Sequence, residues 1–183
     1  MKKIGLLLLL AAMGMIENNV QAQSNTLLVY GNVGFDSQKN NGSTINSYSV
    51  APGVGYQWND NWTGGVNLNL NGVRDAGKTS NVSVGPFIRY TQPLAGIFAI
   101  YGQFNANYLS GKTNTTSYNG FQGTLFPAIG VNLKNSFALN FTFGSLSFTS
   151  QKFDGAAESA TGFHVAFGSG AGFGISKNFG LKK

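Results

Sequence analysis

The feature that most constrains the fold is an alternation of apolar and polar residues from Ala51 to Leu70. Residues of one parity are mostly apolar or aromatic, and those of the other parity are small or polar. A period of two is typical of β-strands with one apolar and one polar face. Asn59–Asn61 favours a tight turn, because Asn and Asp tolerate left-handed backbone and bond their own main chain. The stretch therefore predicts a β-hairpin with Tyr56, Trp58 and Trp62 near its turn.

The same design recurs further along the chain. Residues 126–143 align with residues 51–68 without gaps, and residues 85–102 form a weaker copy. Repeated hairpins of one design predict an array of antiparallel strands. Three short turns alternate with four longer polar segments, which gives eight strands in all. Their approximate bounds are 26–36, 46–58, 62–74, 81–92, 97–109, 120–133, 137–148 and 161–176.

Three prolines occupy one level of this array. Pro52, Pro86 and Pro127 lie at matching positions of strands two, four and six. A proline lacks the N–H that a β-ladder uses, and a closed sheet has no free edge on which to place it. We therefore expect a bulge or a locally unpaired carbonyl at each of the three positions.

The start of the chain has the pattern of an export signal. Two lysines precede an apolar run over residues 4–15, and Val20–Ala22 form a small-x-small cleavage site. Such a segment is too short for a membrane span and is removed from the mature protein. We expect a signal peptide over residues 1–22 and one barrel domain over residues 23–183. The chain has no cysteine, so no disulfide framework is expected.

Strand length and the apolar face together indicate a barrel that spans a membrane. Predicted strands of about 11–14 residues exceed the roughly 9–11 that a tilted strand needs to cross a bilayer. A sheet in lipid must close so that no backbone group stays unpaired. An even strand number, short turns at one rim and long loops at the other are typical of bacterial outer-membrane barrels.

Over its whole mature length, the chain resembles the small outer-membrane β-barrel family, the OmpA/OmpX-like eight-stranded barrels. The resemblance rests on the strand pattern, without a diagnostic motif. It implies an all-β, antiparallel, up-and-down transmembrane barrel in the bacterial outer membrane. It also implies periplasmic chain ends and short turns, and long extracellular loops. The partners implied are outer-membrane lipids, lipopolysaccharide and the barrel-assembly machinery.

Aromatic residues near the short turns predict a membrane-interface belt. Trp and Tyr prefer the interface because the ring is apolar while its N–H or O–H favours water. The predicted interface aromatics are Tyr56, Trp58, Trp62, Tyr90, Phe98 and Phe137. A second set lies near the long polar segments and comprises Phe35, Tyr48, Tyr108, Phe121, Phe148 and Phe163.

The strand positions that alternate with the apolar ones predict an interior rich in side-chain amides. An eight-stranded barrel is just wide enough for its own side chains. The predicted lumenal polar network comprises Asn67, Asn69, Arg89, Tyr101, Gln103, Asn105 and Asn140. This interior is either a hydrogen-bonded plug or a narrow path for water and very small solutes. The Arg89 cation needs acceptors there, from Asn and Tyr oxygens or from Asp36.

Strand eight carries glycines at alternate positions. They are Gly168, Gly170, Gly172 and Gly174. A phosphate-binding glycine loop needs a helix after it, and none is predicted here. The glycines are therefore interpreted as a groove on the lumen wall. Because strand eight pairs with strand one in a closed barrel, Tyr30 is the candidate to lie across that groove and cover its glycines.

The sequence offers little for catalysis or for metal binding. His164 is the single histidine, and position 166 is alanine, whereas outer-membrane lipid A deacylases have a His-x-Ser pair. One histidine, no cysteine and few acids do not make a metal site. The lysines are scattered rather than clustered with aromatics, which argues against nucleic-acid binding. We expect no enzymatic activity and no cofactor.

Three functions stay open from the sequence. The first is a non-enzymatic outer-membrane barrel with a structural or surface-interaction role. Its four extracellular loops would contact a glycan or a protein. The second is a narrow porin-like channel for small hydrophilic solutes. The third is a secreted, soluble, lipocalin-like barrel, whose apolar residues would face inward around a ligand.

Overall fold

The computed structural model describes residues 25–40, 43–74 and 78–181. These residues form a closed barrel of eight antiparallel strands, each paired with its sequence neighbour, and the last strand pairs with the first. The predicted eight-stranded up-and-down barrel is thereby confirmed. The predicted signal peptide lies outside the described residues. The strands are β1 (Thr26–Asn40), β2 (Ser43–Gln57), β3 (Trp62–Arg74), β4 (Lys78–Pro93), β5 (Phe98–Thr113), β6 (Thr116–Asn132), β7 (Phe137–Phe153) and β8 (Ala160–Gly180).

The alternation in the sequence becomes an inside and an outside. Along β5, Ile100 and Phe104 are exposed on the outer surface, while Tyr101, Gln103 and Asn107 are buried in the interior. Successive side chains of a strand point to opposite faces, so one strand supplies both surfaces. The outer surface is accordingly apolar and the interior largely polar.

Three short connections define what we call the lower rim. They lie between β2 and β3, between β4 and β5, and at the 3-10 turn Lys134–Ser136 before β7. In the first of them, the Asn59 Oδ1 accepts hydrogen bonds from the backbone N–H groups of Asn61 and Trp62, at 2.9 and 2.7 Å. The predicted tight turn is confirmed, with an Asn side chain in the role expected of it.

The upper rim differs from the prediction. The four polar segments predicted as long loops are mostly strand, and β1, β5 and β7 continue to Asn40, Thr113 and Phe153. Among the described residues of this rim, the longest connection is residues 154–159, between β7 and β8. Sequence alternation disappears here because both faces of the sheet are polar. The ladder nevertheless continues, since each strand still has a neighbour to bond.

The extended strands are longer than an apolar belt requires. β2 has 15 residues and β6 has 17. At about 3.3 Å per residue and a tilt of about 40°, such strands span about 40 Å along the barrel axis, against an apolar band of about 25 Å. The polar strand ends therefore make up the upper rim.

The three prolines coincide with interruptions of the ladder. The β2–β3 pairing skips Pro52 and the β4–β5 pairing skips Pro86, both without a change of register. At Pro127 the β6–β7 register shifts between Leu125 and Ala128, which is a bulge. Each proline pairs regularly with the strand on its other side. The expectation is confirmed, because the missing N–H falls where the ladder is interrupted.

A larger irregularity lies between β7 and β8. The register shifts between Thr142 and Gly144, which pair with Gly172 and Phe167. An advance of two residues along β7 is therefore matched by an advance of five residues along β8, so β8 contains a bulge. Gly168 lies in this bulge with a φ of 71°, a conformation that glycine adopts without the clash of a Cβ.

The seam between β1 and β8 is paired over only part of its length. The ladder joins Thr26–Gly31 to Ile175–Gly180, and within the described residues it goes no further. Above it, the strand edges are open. Val33 is 80% exposed, Phe35 77% and Phe163 71%. We call this opening, between residues 32–40 of β1 and 160–174 of β8, the seam gap.

Candidate functional site

The six predicted interface aromatics lie on the outer face beside the lower rim. Each is between 38% and 47% exposed. The Trp62 and Tyr90 rings contact edge to face, with centroids 4.9 Å apart. The Tyr56 hydroxyl donates to Asn25 Oδ1 at 2.8 Å, and the Tyr90 hydroxyl donates to Gln92 Oε1 at 3.3 Å. The two tyrosines therefore place an apolar ring on the wall and a hydrogen-bonded hydroxyl beside the rim. We call the six side chains the lower belt.

The second aromatic set lies higher on the same outer face. Tyr108 and Phe121 contact edge to face, with ring centroids 5.5 Å apart. The whole set is exposed, as are the aliphatic and aromatic residues between the two sets, among them Val66, Val84, Ile100, Phe104 and Leu125. The barrel thus carries an apolar outer surface bounded below and above by aromatic rings.

Arg89 is the centre of a cluster of contacting side chains in the interior. It is only 5% exposed, and its Nε donates to Gln103 Oε1 at 2.8 Å. Gln103 is 1% exposed, and its Nε2 donates to the Tyr30 hydroxyl at 2.9 Å and to Asn105 Oδ1 at 2.8 Å. This cluster joins β1, β4 and β5 across the lumen.

Aromatic faces hold the Arg89 cation. Its Cζ lies 4.7 Å from the Tyr30 ring centroid and 4.2 Å from the Tyr101 ring centroid, and Phe87 is 6.0 Å away. A guanidinium over an aromatic face is attracted by the ring quadrupole. Asp36, proposed from the sequence as an acceptor, is exposed in the part of β1 that does not pair with β8, and no ion pair with it is found among the described residues.

The asparagines form a second cluster. Asn67 and Asn107 bond each other reciprocally, with Nδ2 to Oδ1 distances of 3.1 and 2.8 Å. Asn69 donates to Asn67 Oδ1 at 3.0 Å and to Ser83 Oγ at 3.2 Å. Asn67 also donates to the carbonyl of Gly85 at 3.0 Å, next to Pro86. Side-chain amides thereby satisfy backbone where the ladder is interrupted.

The predicted lumenal network is therefore divided into three groups. Arg89, Tyr101, Gln103 and Asn105 lie together, Asn67 and Asn69 belong to the asparagine cluster, and Asn140 donates to Ser176 Oγ at 2.9 Å. Sequence reasoning missed the serines, because a short hydroxyl gives no signal of which amide it will meet. It also missed that Tyr30 belongs to the Arg89 cluster.

The structure corrects the predicted position of Tyr30. Its ring lies over Gly53, its direct partner on β2, where a Cβ would collide with it. The register of the β1–β2 hairpin places Tyr30 beside Gly53. The small residues at alternate positions of β2 could have indicated that a large ring lies over that face. On β8, Gly172 lies against Thr142 and Gly174 against the backbone of Gly31.

The alternate glycines do not form one continuous groove. Gly168 belongs to the bulge and has open space where a Cβ would be. The prediction for Gly170 concerns side-chain surroundings that lie outside the described part of β8. Gly172 and Gly174 instead contribute to the wall of a cavity.

This cavity has a volume of about 360 Å³ and lies in the lumen beside the seam gap. Arg89, Tyr30 and Tyr101 line one side of it. Below it, the interior is packed, since Thr63 and Ala128 are 2% and 0% exposed. The remaining walls include Asn32, Asn69, Asn105, Asn140, Gly172 and Gly174.

Catalytic and metal-binding groups do not converge in the described part of the chain. His164 is exposed on β8 and pairs across the ladder with Ser147. No group of three or more His, Cys, Asp or Glu side chains comes together among the described residues.

Comparisons with known proteins add no relative. No family model matches the chain, and no match is found among curated proteins. The resemblance to OmpA/OmpX-like barrels stays a prediction from pattern, and the barrel itself is what the structure shows.

Proposed function

We propose that this chain is an integral, non-enzymatic β-barrel of the bacterial outer membrane, exported by a signal peptide over residues 1–22. Its role would be structural or in surface interaction. One observation carries the proposal: the closed barrel has an apolar outer surface, between two aromatic belts, around a polar interior. That is the arrangement a lipid-embedded barrel requires.

The same observation argues against a lipocalin-like barrel. A soluble ligand-binding barrel would put its apolar residues inside, whereas here Val66, Phe104 and Leu125 face outward. Large contiguous apolar surfaces are rare on soluble monomers and mark lipid or protein contacts. In the interior, polar atoms bond each other, and Asn178 Oδ1 is the only fully buried side-chain polar atom without a partner among the described residues.

The interior also favours a plug over a channel. Thr63 and Ala128 are almost completely buried beneath the cavity. An eight-stranded barrel leaves room only for its own side chains, and here they fill the lower half. We therefore expect no conductance for hydrophilic solutes.

The upper rim is the surface offered to partners. The resemblance to OmpA/OmpX-like barrels implies that this rim is extracellular. It consists of polar strand ends rather than of four long loops, with one longer connection at residues 154–159. Its Asn, Ser, Thr and Lys side chains suit a glycan or a polar protein surface.

Heat-modifiability tests the proposal. The full chain is expressed with its own signal, and the outer-membrane fraction is run on a denaturing gel with and without boiling. A closed lipid-facing barrel resists the detergent and migrates differently until it is boiled. A soluble periplasmic or secreted protein without a shift would overturn the proposal. Single-channel recordings on the same material, with currents at the level of empty bilayers, check the plug.

A further inference from the structure

The described part of the barrel contains a buried cation without an anionic partner. Arg89 is 5% exposed, and the described acids Asp36, Asp60, Asp154 and Glu158 are all exposed. No ion pair to Arg89 is found among the described residues. A buried charge is costly unless it is paired and hydrogen-bonded. Two aromatic faces and one amide oxygen compensate only part of this cost.

The Arg89 guanidinium borders the cavity. Within the described residues, Nε is the only Arg89 nitrogen with a hydrogen-bond acceptor. Arg89 is also part of the lining of the cavity of about 360 Å³. A group bound in that cavity can therefore reach its guanidinium.

The walls around the guanidinium are suited to a polar ligand. Asn105 contributes an amide to the cavity, and the Arg89 guanidinium lies over the rings of Tyr30 and Tyr101. A guanidinium fork matches a carboxylate or a phosphate in a bidentate manner. The cavity thus has a cation beside two aromatic rings, the side-chain amide of Asn105 and no competing carboxylate among the described side chains.

The seam gap gives lateral access. Gly31 and Ile175 form the last pair of the β1–β8 ladder, and both line the cavity. Beyond that pair, Asn32 and Gly174 also line it and still lie side by side. From Val33 upward, no ladder pair joins the two strands within the described residues. Beneath the cavity the interior is packed, so the lower rim provides no route.

We infer that the cavity binds the oxyanion of a carboxylate or phosphate ligand on the Arg89 guanidinium, with access through the seam gap. The site is additional to the structural role proposed above and needs only a folded barrel. The oxyanion has two possible sources, a free solute in the aqueous phase or the head group of an anionic lipid beside the seam. The chemistry that Arg89 recognises is the same for both.

Calorimetry with two probes separates the sources. The purified, heat-modifiable barrel is titrated with inorganic phosphate in a neutral detergent. In nanodiscs of phosphatidylcholine, its unfolding temperature is compared with and without phosphatidic acid. A ligand that binds only the folded barrel raises that temperature. Binding in the first experiment indicates a free oxyanion, and a shift in the second alone indicates a lipid head group.

Arginine variants identify the site. Arg89→Gln is expected to weaken binding at least tenfold in whichever experiment is positive. Arg74→Gln is the matched control, because Arg74 is the other arginine of the chain and is exposed at the end of β3. Equal binding by the wild type and Arg89→Gln would overturn the inference, and so would no response of the wild-type barrel to either probe.

A second variant keeps the inference testable where Arg89→Gln does not fold. Gln103→Glu places a carboxylate at the acceptor of Arg89 Nε, and the Tyr30 hydroxyl can then donate to it. This internal anion should abolish binding while the heat shift persists. Undiminished binding by Gln103→Glu would contradict the inference.

A cysteine variant tests the route. The chain has no native cysteine, and Val33 is 80% exposed at the seam gap without being part of the cavity lining. The variant Val33→Cys should bind like the wild type when unmodified and lose binding after its thiol is coupled to a bulky polyethylene glycol maleimide. If binding is unchanged in a barrel whose modification is verified by mass spectrometry, access through the seam gap is wrong. A barrel that shifts on boiling but fails these tests retains the proposed function.

Discussion

β1 is paired very differently on its two sides. With β2 it pairs over its whole length, from Thr26 opposite Gln57 to Asn40 opposite Ser43. With β8 it pairs only over Thr26–Gly31. The β1–β2 ladder is a hairpin whose register a short connection fixes, whereas the β1–β8 ladder joins the two ends of the domain. Register is weakly specified where strands are glycine-rich, and the glycines of β8 lie where pairing stops.

The difference shows which interactions hold β1 in place. On the hairpin side it is the backbone ladder, together with the Tyr30 ring over Gly53. On the seam side it is a short ladder, helped by the hydrogen bond between Gln103 and the Tyr30 hydroxyl across the lumen. The interior cluster therefore compensates for part of the missing ladder.

The largest expected effect comes from removing that cross-lumen contact. Gln103→Leu removes the acceptor of Arg89 Nε and the donor to Tyr30 and Asn105. Loss of a hydrogen bond to a buried charge, with that charge left unpaired, should lower the free energy of unfolding by about 3 kcal/mol. Urea unfolding in lipid vesicles measures it. Gln38→Leu, at an exposed glutamine of β1, is the control, and an equal effect of both would show that the cluster does not stabilise β1.

A smaller loss is expected on the hairpin side. Gly53→Ala places a Cβ against the Tyr30 ring, which Arg89 and Gln103 hold from the other side. Overpacking of this kind costs about 2 kcal/mol, to be measured by the same urea titration. Gly162→Ala is the control, because Gly162 on β8 has open space at that point. A stability loss equal to that of the control would mean that the Tyr30 ring is free to move.

The smallest expected stability loss comes from valines of β1, and it should differ between the paired and unpaired parts of the β1–β8 seam. Val29 faces outward where β1 pairs with β8, opposite Lys177, and Val33 faces outward where the pairing has ended. Val29→Ala should cost about 1 kcal/mol and Val33→Ala less than about 0.5 kcal/mol, because Val33 has few neighbours to lose. Unfolding midpoints of the two variants give the comparison. Equal losses would indicate that the seam closes further than the structure shows.

Where polarity alternates, the sequence was sufficient to predict the fold. The alternation predicted eight strands, and the prolines predicted the interruptions, since both depend on chemistry local to one strand. The extended upper strands were missed because polar residues on both faces give no period. The position of Tyr30 was missed because it depends on the register between strands, which a single strand does not encode.

The site was predictable only in part, for a related reason. Arg89 was identifiable as a lumenal charge, and its need for acceptors followed from burial. Its acceptor Gln103 and the two aromatic faces depend on how β1, β4 and β5 meet across the lumen. The cavity follows from the bulge and the seam, and neither has a local signature beyond the glycines of β8.

The strand-built upper rim has a consequence for recognition. A partner that docks on long loops must first order them, and that lost freedom is subtracted from the affinity. Here the polar side chains of β1 to β7 project from a ladder that is already in place, so docking would leave most of the main chain as it is. The connection at residues 154–159 is the exception. It is the position best suited to an inserted epitope tag, because a longer insert there adds little closure entropy and leaves the ladders untouched.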